Sequence, residues 1–147
     1  MKKDIIDTYL NYVSDKINQL EDLIKDLSLD ALNDAKSSAG DKHETGLAMM
    51  HLEQEKMNAK LLDFIEQKKE LLTINTEFDS KKIGKGSVIE TDDFLFLVAV
   101  ALPQVKYQEK TLFGLSLSAP LTLRLKDLSI GSEINIGSKT QTIISIF

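Results

Sequence analysis

Ser37-Ser38-Ala39-Gly40-Asp41-Lys42-His43-Glu44 is a short polar interruption between two apolar repeats that share one phase. On its N-terminal side Ile6, Leu10, Val13, Ile17, Leu20, Ile24, Leu27 and Ala31 recur at alternating spacings of four and three, the seam of a coiled-coil helix. On its C-terminal side Leu47, Met50, Met57, Leu61, Phe64 and Leu71 continue the pattern, with Gln54 and Lys68 as polar steps. Serine and glycine at the break favour a turn, so the two helices are expected to bury their seams against each other as an antiparallel hairpin. Arms of roughly 30 residues would each span about 45 Å, with Asp41 and Glu44 at the far end. The same seam would also suit an intermolecular coiled coil; Gly40 and the two serines favour the turn, and the expected state is a monomer.

Composition changes beyond this hairpin. The first 75 residues contain no proline and only Gly40 and Gly46 as glycines, with 10 lysines against 15 acidic residues, a net charge of −5. The remainder holds both prolines, the other glycines, and 8 basic and 8 acidic residues. The expected division is a coiled-coil hairpin with an acidic tip over 1–75, a linker over 76–86 and a β-rich domain over 87–147. An acidic rod lacks the clustered cations that replace counterions on a nucleic-acid duplex, and Arg124 is the only arginine. Independent nucleic-acid binding is therefore not expected. The absence of cysteine excludes disulfides and thiolate metal sites. Acidic residues interrupt the N-terminal Met-Lys-Lys at once, and no apolar run approaches the ~18 residues of a membrane span. The expected location is the cytoplasm, with no membrane partner.

In the second half, Ser87 to Thr91 reads as a short strand closed by Asp92-Asp93. Phe94 to Ala101 reads as a strand buried on both faces and ended by Pro103, and Lys110 to Ser118 as a further strand. Ser118-Ala119-Pro120 has the form of a helix start, with Leu121, Leu123, Leu125 and Leu128 supplying apolar surface and Gly131 ending the element. Glu133 to Ile136 and Thr140 to Ile146 read as two strands joined at Gly137-Ser138. The sum is an α+β protein, a helical hairpin followed by a small, mainly antiparallel sheet with one short helix.

Chemistry is confined to few residues. Asp41-x-x-Glu44 at a helix start is a capping arrangement, and it is also a pair of oxygen donors suited to Mg²⁺, which takes few carboxylates and keeps several waters. Two carboxylates are too few to hold the ion alone, so no cofactor is expected on the isolated protein; a partner already holding a metal would complete the site. His43 and His51 are eight apart, not the three or four of a metal pair on one helix face. Lys36, Lys42, Lys56 and Lys60 read as solvated surface or as weak steering for an RNA end. No nucleophile–base pair, P-loop or dinucleotide fingerprint is present, so the chain is not expected to be an enzyme.

Taken in order, these parts resemble the bacterial Gre family, the transcript-cleavage factors of RNA polymerase. Gly40-Asp41-Lys42-His43-Glu44-Thr45 lies where the family has Gly-Asp-Leu-Ser-Glu-Asn. Ile83 to Ile89, with Gly86-Ser87, is similar to the entry of its C-terminal domain. Ala119-Pro120-Leu121 followed by Ile130-Gly131-Ser132-Glu133-Ile134 resembles its Ser-Pro-Leu…Val-Gly-Asp-Glu-Val stretch. The resemblance implies an FKBP-like C-terminal domain without isomerase activity, docked at the mouth of the polymerase secondary channel. It implies a hairpin passing down that channel, so that Asp41 and Glu44 hold a second Mg²⁺ and its water at the polymerase active centre, against the RNA 3′ end. Lys42, His43 and Pro120 are the implied partner contacts.

The chain departs from the family pattern in three places. Lys42-His43 replaces Leu-Ser, Gly46-Leu47-Ala48 replaces Ala-Glu-Tyr, and Asp127 stands where the family has a glycine. A channel regulator that inhibits or modulates without cleaving is the alternative these departures raise. A coiled-coil chaperone or adaptor is a further one, although its arms should end in apolar side chains. A peptidyl-prolyl isomerase would need an aromatic-lined pocket built from Phe78, Phe94, Phe96, Tyr107, Phe113 or Phe147.

Overall fold

The computed structural model describes residues 1–36, 40–77, 79 and 81–147, and the side chains of these outside 34–43. Two long helices come first, α1 (Lys2–Lys36) and α2 (Gly40–Leu72). Six strands follow: β1 (Val88–Thr91), β2 (Phe94–Ala99), β3 (Leu102–Tyr107), β4 (Lys110–Ser116), β5 (Glu133–Ile136) and β6 (Lys139–Ile146). A short helix, α3 (Pro120–Leu125), lies between β4 and β5 in the chain. The class is α+β. The chain forms two compact units, Asn11–Lys68 on one hand, and Met1–Leu10 with Lys69–Phe147 on the other.

In the hairpin unit the seam behaves as its spacing requires. Val13, Ile17, Leu20, Ile24, Leu27 and Ala31 of α1 are buried or half-buried, and so are Leu47, Met50, Gln54, Met57, Leu61, Phe64 and Lys68 of α2. Leucines and methionines between seam positions (Leu23, Leu29, Leu32, Met49, Leu52, Leu62) are exposed. The polar step at Gln54 is satisfied across the two arms. Its Nε2 donates to Ser28 Oγ at 2.7 Å, while Ser28 Oγ donates to Ile24 O at 2.9 Å. A polar pair in a seam fixes register at some cost in apolar burial.

In the other unit the strands lie in the order β3-β4-β2-β1-β6-β5. β2 and β4 are parallel, with Phe94 opposite Thr111 and Ala99 opposite Ser116. The other pairs are antiparallel. β3 stands at an edge, paired with β4 alone, so the chain leaves β2, runs to the edge and returns between them. Gly114 sits where this crossing is tight: a Cβ there would meet Leu102 Cβ at 2.7 Å and Val100 O at 2.9 Å. The β5–β6 hairpin turns on Gly137-Ser138, with Gly137 at a φ of 62°, as expected of a two-residue loop.

β2 is buried on both faces, as its unbroken apolar run requires. Phe96 and Val98 join Ile89, Ile134, Ile143 and Leu125 of α3 in one core. Leu95 and Leu97, pointing the other way, are buried as well. Ile5 and Tyr9 of α1 and Leu71 of α2 are fully buried in the same unit. The Tyr9 hydroxyl lies 3.1 Å from Leu112 O and 3.2 Å from Pro103 O, which ties the first turns of α1 to β3 and β4. The sheet is therefore completed by helix ends that belong, by periodicity, to the coiled coil.

One expected strand boundary fails. Pro103 does not end a strand; it is the second residue of β3, which the sequence pattern conceals. β3 pairs on one side only, and its register shifts between Leu102 and Val105. An edge strand with a bulge is where proline, which has no N–H to donate, is tolerated. Pro103, Gln104 and Lys106 face solvent, so no clean alternation survives.

Candidate functional site

α1 ends at Lys36 and α2 begins at Gly40; the expected turn falls on residues that lie outside the described ones. Asp41, Lys42 and His43 belong to the first turn of α2 by their backbone, and their side chains lie outside the described ones. The side chain of Glu44 is described, and it is exposed. Positions 41 and 44 are three apart within one helix, which brings them to one face. Because α2 begins at Gly40, Asp41 stands inside the helix and not at the cap residue expected from Asp-x-x-Glu. Both positions fall in the opening turns of the helix, the partially positive end of its dipole.

Mg²⁺ is commonly bound through one or two carboxylates together with waters and substrate phosphates, and the sequence has two acids at positions 41 and 44. Among the described residues no group of three or more His, Cys, Asp or Glu is placed to hold a metal. His51 is exposed on α2, as are Lys56 and Lys60. Lys60 borders, with Lys16, a groove of about 470 Å³ between the arms. The Lys16 ammonium lies 5.6 Å from the centre of the Tyr12 ring, close enough for cation–π attraction. Met50 and Met57 are seam residues and Met49 is exposed.

The sheet unit contributes a second feature. Pro120 opens α3 and is exposed. Ala119 before it is extended, at φ −61° and ψ 138°, and gives no side-chain cap. Thr122 Oγ1 instead donates to Ser116 O at 2.7 Å, holding the helix to the end of β4. Leu125 is buried and Leu121 packs on the core, whereas Leu117 and Leu123 are 49% and 58% exposed. Of the leucines expected to supply apolar surface, Leu121, Leu125 and Leu128 face the core and Leu123 faces solvent, as does Leu117 before the helix. The signal was present in the leucine spacing: 121 and 125 fall on one face of a helix, and 123 does not.

Three of the six rings considered for an isomerase pocket belong to the sheet core. Phe94, Phe96 and Phe113 pack on one another with centroids 5.7 to 6.0 Å apart, as part of the sheet core. Phe78 lies outside the described residues. Among the described residues no helix is long and apolar enough to cross a membrane. Neither a protein-family model nor a curated protein matches the chain.

Proposed function

We propose that this protein is a Gre-like regulator of bacterial RNA polymerase. Its hairpin enters the secondary channel and its tip carboxylates stimulate the polymerase's own cleavage of backtracked RNA. The observation that carries this reading is that α1 runs to Lys36 and α2 starts at Gly40, which leaves positions 41 and 44 in the opening turns of the second long helix. From residue 11 to residue 36 the first arm covers about 26 residues, or roughly 39 Å of helix. That reach is what delivering two carboxylates into a deep channel demands.

In this mechanism Asp41 and Glu44 supply oxygen ligands that a partner's site lacks, and they orient a water toward the scissile phosphodiester of the RNA 3′ segment. A second Mg²⁺ held by them would lower the pKa of that water while the polymerase's own ion steadies the leaving oxygen. The protein contributes position and charge, and the polymerase performs the hydrolysis, so the chain is an accessory factor and not an enzyme. The sheet unit, which the resemblance reads as FKBP-like, docks at the channel mouth, with the Pro120 face as its contact. A monomer in the cytoplasm accords with this role.

The second reading is a channel regulator that does not cleave. The sequence Lys42-His43 between the two acids favours it, because added positive charge in this segment opposes cation binding. Stalled, backtracked complexes of the cognate polymerase separate the two readings. Release of the RNA 3′ segment on addition of the wild-type protein, lost in Asp41→Asn, is the expected result. Binding without release would establish the modulator, and absence of binding would end the polymerase assignment in favour of an adaptor.

A further inference from the structure

The sheet ends in two unequal edges. β3 carries features that ordinarily block the addition of a strand: Pro103, Lys106 and the register shift between Leu102 and Val105. β5, at the other end, pairs with β6 alone. Its pairing begins before the strand itself, since Gly131 N donates to Ile143 O at 2.8 Å and Ile143 N to Ser132 O at 2.9 Å. The segment Ile130-Gly131-Ser132-Glu133-Ile134-Asn135-Ile136 has three isoleucines, one charge, and neither proline nor lysine. Ile130 is exposed. An edge of this composition invites a further strand.

One side chain stands in the way. Arg124 Nη2 of α3 donates to Asn135 O at 2.7 Å, so that carbonyl points away from β6. In an antiparallel strand the N–H and C=O of one residue share a side, and the outward groups of β5 are those of Asn135 and of Glu133 two positions back. Arg124 is the only arginine of the chain. Its fixed fork of donors suits a carbonyl held in one place better than the flexible point charge of a lysine. The helix that carries it is anchored in turn: Leu125 is fully buried, and Thr122 Oγ1 donates to Ser116 O at 2.7 Å.

We infer that Arg124 keeps the β5 edge closed against β5 of a second copy of this chain. Two copies meeting antiparallel about a two-fold axis at Ile134 set Glu133 of each opposite Asn135 of the other. The outward groups of both strands are then paired, and no like charges stand directly opposed. In that pairing Asn135 O takes the N–H of Glu133 in the other copy in place of the guanidinium, so the Arg124 contact and the strand pairing exclude each other. The inference is independent of the hairpin tip and of the polymerase reading. Sedimentation velocity and amide hydrogen exchange on the full-length wild type and Arg124→Ala test it. Arg124 is exposed, so the variant should keep the wild-type circular dichroism. In the wild type the Glu133 and Asn135 amides should exchange quickly at every protein concentration. In the variant their exchange should slow about tenfold as concentration rises, together with a dimer in sedimentation. Adding Asn135→Pro, which removes an outward N–H at an edge where proline is tolerated, should restore the monomer. A variant that stays monomeric with fast exchange at both amides, or a dimer that survives Asn135→Pro, would overturn the inference. So would protection of these amides that already rises with concentration in the wild type, a result that needs no variant.

Discussion

Glu90 of β1 accepts hydrogen bonds from side chains of two other strands. Lys110 Nζ donates to its Oε1 at 2.8 Å and Ser145 Oγ to its Oε2 at 2.6 Å, and these bonds, with the lysine charge, hold its carboxyl below the ordinary 4.5. A depressed carboxylate contributes stability that is present above its unfolded pKa and is lost as pH falls through the folded value. Glu90→Gln should therefore lower unfolding free energy at pH 7 by about 1–2 kcal/mol. The gap to wild type should narrow as pH drops below 4.5 and through the depressed folded value; urea titrations at pH 7 and at acid pH measure both. Gly114 gives the steric counterpart. A methyl there meets Val100 O at 2.9 Å and Leu102 N at 3.1 Å, backbone atoms that cannot swing aside. Gly114→Ala should cost about 1–3 kcal/mol, read from the same denaturation curves.

At the scale of elements, the Gln54–Ser28 bond is the polar joint of the hairpin seam. Ser28→Ala removes the acceptor of the Gln54 amide inside a half-buried contact and should destabilise by about 1 kcal/mol. In the Ser28→Ala, Gln54→Leu double variant no polar group is left to satisfy, so stability should return to the wild-type value or exceed it. Thermal unfolding of the four-member cycle isolates the coupling. The seam was legible in the sequence because a heptad pattern depends on spacing alone, and Gln54 and Lys68 interrupt it without shifting its phase. α3 and the β5–β6 hairpin were legible for a similar reason, since Pro120 and Gly137 mark their boundaries by local backbone chemistry. β3 was hidden because Pro103, Gln104 and Lys106 face solvent on an edge strand. The packing of Ile5, Tyr9 and Leu71 with the sheet unit was hidden too, since a coiled-coil pattern does not reveal where a helix leaves its partner helix. At the candidate site the carboxylate pair could be read only as a pattern. If the proposed function holds, the remaining metal ligands belong to another sequence.

At the scale of the whole molecule, the proposed function assigns separate duties to separate surfaces, and that separation can be tested. Asp41 and Glu44 would act on chemistry at the hairpin end, while Pro120 with Leu117 and Leu123 would act on attachment. Leu123 is 58% exposed, so Leu123→Asp removes an apolar contact without disturbing the core, and circular dichroism should be unchanged. If this face docks on the polymerase, affinity should fall tenfold or more, as about 1.4 kcal/mol at a contact anchor requires. Cleavage should then recover at high factor concentration, because the tip is intact. Asp41→Asn should show the opposite pattern, with affinity kept and cleavage lost at every concentration. Measuring cleavage against factor concentration for both variants therefore distinguishes a defect of occupancy from a defect of chemistry. If Asp41→Asn weakened binding as strongly as Leu123→Asp, the carboxylate would be a docking contact, and the two-metal mechanism would lose its basis.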